Sequence, residues 1–115
     1  MFFKSKPRVP TVDAKTLKEW MENDKDMILL DVRTEEEWKE TGIIPGALTV
    51  PNFRLIAEMQ NGLNLDQGKP VVAICRSGNR SKQVVEYLLG QNIDAVNLER
   101  GMIGWYQQQF DVERV

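Results

Sequence analysis

Histidine is absent from this 115-residue chain, and cysteine occurs only once, at position 75. Without histidine, the chain can form neither a cysteine–histidine catalytic pair nor a histidine-based metal site. One cysteine with scattered carboxylates gives no ligand spacing for zinc, so we predict no metal site and no cofactor. A single cysteine also excludes an internal disulfide, and with no second cysteine to resolve an intermediate, turnover at Cys75 needs an external thiol or nucleophile.

Long apolar runs and an excess of basic charge are also missing. No stretch approaches the ~20 apolar residues of a membrane span, and 15 Lys+Arg against 17 Asp+Glu give a net charge of −2. Nucleic-acid-binding domains are normally strongly basic. Residues 1–6 include basic side chains but no apolar signal-peptide core. We therefore expect no membrane or nucleic-acid partner, and we expect a cytoplasmic location, where a lone cysteine stays reduced.

Length and composition fit one domain with its own hydrophobic core, because 42% of the residues are hydrophobic. We predict a flexible arm over residues 1–8, a single domain over residues 9–110 and a frayed tail over residues 111–115. Apolar runs alternate with helical patterns along the domain. This alternation predicts an α/β fold, with an open parallel sheet and helices on both faces.

Three helix starts carry cap signals. Asp13 is predicted to cap the first helix, and Thr34 with Glu37 forms a Thr-x-x-Glu capping box for the second. Asn52 is predicted to cap a helix over residues 53–59.

The cysteine lies where a buried strand, residues 71–74, turns into a helix that begins near residue 79. Small residues, two arginines and a helix N-terminus at this turn all favour a thiolate, which is the reactive form of cysteine. The predicted substrate-binding residues follow Cys75 directly: Arg76, Ser77, Gly78, Asn79 and Arg80. A buried structural cysteine is the alternative, but such a residue has no need of a basic, amide-rich turn.

The length of this loop separates two kinds of chemistry. Cysteine-dependent phosphatases place five residues between the cysteine and the arginine, so that the loop surrounds a phosphate. Here only four residues separate Cys75 from Arg80, and Ser81 follows. The smaller loop is better matched to the outer sulfur of a persulfide.

The loop Cys75–Ser81 resembles the active-site loop of rhodanese-type sulfurtransferases. Three further segments resemble motifs of the same family: Leu30–Trp38 contains its Asp-Val-Arg sequence, Gly42–Ala47 its Gly-His-Ile-Pro-Gly-Ala motif, and Leu98–Trp105 its terminal Gly-Gly-x-x-x-Trp motif. The likeness extends over nearly the whole chain, from about residue 12 to 108. Ile43 replaces the usual histidine and Arg100 a usual glycine, which leaves substrate or partner preference open.

The resemblance implies a sulfurtransferase in which Cys75 carries a persulfide. Its donor would be anionic, thiosulfate or a persulfide, and its acceptor cyanide or an external thiol such as a small thiol or a thioredoxin-like protein. Asp31, Arg33 and Ser81 would support the site structurally, with the catalytic cleft as the other reading for Asp31. Arg80 would either contact substrate or stabilise the loop through a carboxylate. A sulfur-relay or binding module without turnover is the alternative, and a phosphatase or arsenate reductase fits the loop less well.

Overall fold

Five parallel strands form the centre of the computed structural model, which describes residues 9–115; the predicted arm over residues 1–8 lies outside this range. The strands are β1 (Thr11–Val12), β2 (Ile28–Asp31), β3 (Leu48–Thr49), β4 (Val71–Ile74) and β5 (Ala95–Leu98). The helices are α1 (Ala14–Glu22), α2 (Glu35–Thr41), α3 (Leu55–Gln60), α4 (Asn79–Gly90) and α5 (Gly101–Gln107). The strand order is β1-β5-β4-β2-β3, so β4 lies in the middle of the sheet.

Both faces of the sheet are covered, and this explains why its central strands are apolar throughout. Val71 and Ala73 of β4 pack on one face with α3 and α4. Val72 and Ile74 pack on the other face with α1 and α5. The predicted parallel α/β fold is therefore confirmed. Within residues 9–115, no helix is both long enough and apolar enough to cross a membrane.

Local caps fix two of the helix starts as predicted. Asp13 accepts a hydrogen bond from the Thr16 amide at 2.7 Å, and the Thr34–Glu37 capping box is complete. The predicted Asn52 cap is wrong. Its side chain caps neither the 3₁₀ turn nor α3, and its backbone N–H donates to the carbonyl of Val32 at 3.0 Å. This bond joins the chain to the end of β2, and a 3₁₀ turn over Asn52–Arg54 precedes α3.

The segment after α5 is docked on the domain, which differs from the predicted frayed tail. Ile43 and Glu113 exchange two backbone hydrogen bonds, at 2.9 and 2.8 Å. The indole nitrogen of Trp105 donates to the carbonyl of Asp111 at 2.9 Å, and Val112 packs against the hydrophobic core. The side chain of Ile43 is buried, so the residue that replaces the family's histidine is part of the core.

Candidate active site

Cys75 follows directly after β4, at the carboxyl end of the central strand. Open parallel sheets bind their ligands at this edge. The side chain is only 1% exposed. Its sulfur accepts a hydrogen bond from the Gly78 amide at 3.1 Å and lies 3.1 Å from the Ser81 hydroxyl oxygen. The loop is thus folded around the sulfur, and Ser81, predicted as a support residue, contacts it directly.

The start of α5 holds the first two peptide groups of the loop. Met102 donates its amide to the Cys75 carbonyl at 2.8 Å. Ile103 donates its amide to the Arg76 carbonyl at 3.0 Å. In a trans peptide the carbonyl and the next N–H point in opposite directions. Since both carbonyls point outward to α5, the amides of Arg76 and Ser77 point toward the inside of the loop.

Asn97 of β5 holds the last part of the loop. Its side-chain nitrogen donates to the Gly78 carbonyl at 3.0 Å, and its side-chain oxygen lies 2.5 Å from the Ser81 hydroxyl. Gly78 adopts a φ of 106°, which glycine reaches without steric cost. Our reading of the sequence missed Asn97. The available signal was a polar residue within the otherwise apolar run of residues 95–98.

The two arginines of the loop differ in their surroundings. Arg80 makes a two-bond ion pair with Glu37, at 2.6 and 2.8 Å. The hydrogen bonds from Arg80 lower the pKa of Glu37 to about 2, and Glu37 in turn raises the pKa of Arg80. Arg76 is exposed. Of the two predicted roles for Arg80, the geometry therefore favours support of the loop through a carboxylate, and Arg76 is the arginine open to solvent.

We expect Glu37→Gln to destabilise the protein by about 1 kcal/mol at pH 7, because solvent screens part of this half-buried pair. Glutamine still satisfies the capping box, so the loss reports mainly the charge. The lowered pKa of Glu37 stabilises the fold fully above about pH 4.5, its ordinary value, and the effect disappears as the pH falls toward 2. Urea unfolding should therefore separate the variant from the wild type at pH 7 and bring them together near pH 2.

Glu36→Gln is the control for this experiment. Glu36 lies in the same helical turn but is exposed, so its substitution should leave the urea midpoint nearly unchanged at both pH values. An equal loss in the two variants would assign the effect to the helix dipole rather than to Arg80.

A buried ion pair supports the other side of the site. Asp31 ends β2 and accepts three bonds from the Arg33 guanidinium, the shortest at 2.7 Å. Arg33 also donates to Thr41 and to the carbonyl of Gly42, at 2.6 and 2.7 Å. The indole of Trp38 donates to Asp31 at 3.1 Å. Both charges are saturated by partners, so Asp31 and Arg33 tie the middle and the C-terminal end of α2 to the sheet.

A cleft of about 570 Å³ opens beside the loop. Arg76 forms part of its wall, and Met102, Ile103 and Tyr106 of α5 supply apolar surface. Glu40 adds a carboxylate. A cationic group next to an apolar wall suits a ligand that carries both an anionic group and a carbon skeleton.

The fold and the loop define a class of small α/β protein that presents one cysteine in an amide-lined turn after its central strand. The family model described as the rhodanese-like domain matches residues 13–108. The chain belongs to the rhodanese-like family.

Relatives and solved structures agree with this assignment. The chain is 39% identical over 97 residues to YtwF of Bacillus subtilis (strain 168), covering 84% of this chain and 90% of the relative. It is 35% identical over 98 residues to a protein of Allochromatium vinosum named sulfurtransferase, covering 84% and 88% of the two chains. The crystal structure of a rhodanese-like domain protein from Staphylococcus aureus superposes with a TM-score of 0.75 at 34% identity, covering 90% and 98%.

Proposed function

We propose that this protein is a sulfurtransferase that moves sulfane sulfur from thiosulfate or a persulfide donor to a thiol or to cyanide, through a persulfide on Cys75. The observation that carries the proposal is the loop geometry. Carbonyls at three positions of the loop point outward to α5 and Asn97. The amides that follow them therefore line the inside of the loop, next to the sulfur.

In the proposed first step, the thiolate of Cys75 attacks the outer sulfur of thiosulfate. The bond between the two thiosulfate sulfurs breaks, and sulfite leaves with the bonding electron pair. The outer sulfur is then bound to Cys75, and its negative charge faces the loop amides and the N-terminus of α4. No electron is gained or lost overall, so this step needs neither a metal nor a redox cofactor.

In the second step, an acceptor thiolate or cyanide attacks the outer sulfur and Cys75 leaves as a thiolate. The acceptor becomes a persulfide, or thiocyanate when cyanide is the acceptor. Because the chain contains a single cysteine, the acceptor is external, either a small thiol or a thioredoxin-like protein. We place this reaction in the cytoplasm, since reducing conditions keep both thiols available.

Arg76 is the group that we assign to donor capture. It is exposed at the loop and borders the cleft, so its charge is available to an approaching anion. Arg80 is engaged by Glu37 and supports the loop. A phosphatase fits less well, because only four residues separate Cys75 from Arg80 and a serine, Ser81, stands where the longer loop would place its arginine.

The test is intact-mass spectrometry after incubation with thiosulfate. The wild type should gain about one sulfur atom, ~32 Da, and lose it on addition of cyanide or a thiol. Cys75→Ser should gain nothing. Ser77→Ala is the matched control, because Ser77 is exposed and contributes its backbone amide rather than its hydroxyl; it should load like the wild type.

Steady-state kinetics distinguish the enzyme from a relay module. Saturable turnover with thiosulfate and cyanide, following double-displacement kinetics, supports the sulfurtransferase. Loading from a protein persulfide but not from thiosulfate would replace it with the relay. Hydrolysis of an aryl phosphate that depends on Cys75 would replace it with the phosphatase.

A further inference from the structure

Ser81 and Asn97 form a buried chain of polar groups that ends on the sulfur of Cys75. The hydroxyl oxygen of Ser81 lies 2.5 Å from the side-chain oxygen of Asn97 and 3.1 Å from the sulfur. Ser81 is fully buried and Asn97 is 6% exposed. Buried polar groups keep fixed hydrogen-bond partners. The number of available hydrogens therefore decides which of these groups donates and which accepts.

The orientation of the Asn97 amide follows from its other contact. The Gly78 carbonyl can only accept, so the Asn97 atom 3.0 Å from it must be the NH₂ group. The Asn97 oxygen then faces Ser81. Two oxygens at 2.5 Å need a hydrogen between them, and only the Ser81 hydroxyl can supply it. Ser81 therefore faces the sulfur with a lone pair, which suits a protonated thiol and opposes a thiolate.

We propose that Asn97 is a positioning residue that controls the hydroxyl hydrogen of Ser81. While Cys75 is a thiol, the Ser81 hydroxyl donates its hydrogen bond to the Asn97 oxygen. When Cys75 ionises, the hydroxyl turns and donates to the sulfur. The thiol proton goes to solvent, the hydroxyl rotates about its Cβ–Oγ bond, and no bond to oxygen is broken. The inference deepens the proposed function, on which it rests only in taking Cys75 as the nucleophile.

The arrangement gives Asn97 two opposing effects. Through its NH₂ group it holds the Gly78 carbonyl, which keeps the Gly78 amide on the sulfur at 3.1 Å. Through its side-chain oxygen, Asn97 competes with the thiolate for the single hydroxyl hydrogen of Ser81. In the resting site the sulfur therefore has one donor, the Gly78 amide, and the Ser81 hydroxyl becomes the second donor only on ionisation.

The elements next to these polar groups carry charged residues, among them Lys82 on α4. The others are Asp31 and Arg33 from β2 and its end, Glu37 from α2, Arg76 from the loop, Arg80 from α4, and Glu99 and Arg100 from the end of β5. Arg80 interacts electrostatically with both Cys75 and Asp31. Carboxylates, lysines and arginines keep their charge between about pH 6 and 9, and the chain has no histidine. A transition of Cys75 reactivity in this range therefore reports the cysteine itself.

The experiment is the pH dependence of Cys75 alkylation by iodoacetamide, followed by intact mass. Ser81→Ala removes a donor to the thiolate, and we expect its midpoint to rise by about one pH unit, a tenfold loss of thiolate at a given pH. Asn97→Ala frees the Ser81 hydrogen for the sulfur, and we expect the midpoint to fall by roughly half a unit. In the double variant, Asn97→Ala should no longer lower the midpoint.

The opposite signs and the lost effect in the double variant distinguish this control from simple loosening of the loop. A midpoint that rises or stays constant in Asn97→Ala, or that falls equally with and without Ser81, overturns the inference. Alkylation needs no sulfur donor, so a protein that fails to load sulfur from thiosulfate still gives a result here. Failure of the proposed function and failure of this inference are therefore separate outcomes.

Nuclear magnetic resonance provides a test that does not depend on folding of an Asn97 variant. In the wild type, the side-chain carbonyl carbon of Asn97 should shift upfield at the pH where Cys75 ionises, because its oxygen loses a hydrogen bond. In Ser81→Ala this displacement should largely disappear, and the exposed Asn64 should show none in either protein. An Asn97 signal that does not move in the wild type contradicts the proposal.

Discussion

Gly101→Ala should destabilise the protein by about 3 kcal/mol, lower its melting temperature by roughly 10–20 °C and reduce sulfur loading at least tenfold. A β-carbon at position 101 would overlap the Cys75 carbonyl oxygen and lie 2.7 Å from the Arg76 carbonyl. These are backbone atoms, so α5 must move away from the loop. That movement breaks the bonds from Met102 and Ile103 that orient the loop amides. Position 101 also has a φ of 51°, which adds strain to any other residue.

Gly90→Ala is the matched control for this prediction. Gly90 ends α4, and a β-carbon there meets no atom within 4 Å. Alanine is favoured over glycine in a helix, so Gly90→Ala should leave stability unchanged or raise it by up to about 1 kcal/mol, with normal sulfur loading. Thermal unfolding and intact mass measure both variants. If Gly101→Ala behaves like Gly90→Ala, the close approach between α5 and the loop is not the feature that shapes the site.

The fold was predictable because its signals are local. The apolar run of β4 lies between Pro70 and Cys75 in the sequence. The Thr34–Glu37 capping box spans only four residues. Such patterns depend on neighbouring residues and on the period of the element. The alternation of strands and helices then left few topologies. In a parallel sheet, a residue that directly follows a strand lies at the carboxyl edge, and this places Cys75 there.

The contacts that orient the site could not be predicted because they join distant parts of the chain. Glu37 and Arg80 are 43 residues apart, and Ser81 and Asn97 are 16 apart. Neither pair has a sequence spacing that signals contact. The family resemblance suggested a carboxylate for Arg80, but only the packing of α2 against the loop shows that it is Glu37.

Two local expectations differ from the structure for a related reason. Asn52 is a good helix cap by type, but its backbone N–H donates to the Val32 carbonyl of a neighbouring segment. It is thereby the first residue of a 3₁₀ turn, and α3 begins only at Leu55. Residues 111–115 lack a helical or strand pattern, yet Glu113 finds backbone partners on Ile43, 70 residues earlier. In both cases a tertiary hydrogen bond overrides the preference of the local sequence.

Arg33→Met should destabilise the protein by roughly 3–5 kcal/mol, because it leaves the carboxylate of Asp31 buried without its cation. Asp31 is 0% exposed and Arg33 2% exposed, so water cannot replace the lost partner. The substitution also removes the bonds that hold Thr41 and Gly42 at the end of α2. Urea unfolding at pH 7 measures the loss.

The exposed pair between Lys39 and Glu35, at 3.0 Å, provides the control for this experiment. Lys39→Met removes the same kind of charge but should cost less than about 1 kcal/mol, since both groups remain in water. Adding Asp31→Asn to Arg33→Met should recover part of the stability, because the neutral amide can still accept from the Trp38 indole. A double variant as unstable as Arg33→Met alone would show that the packing and tethering of Arg33, rather than the buried charge of Asp31, support this side of the site.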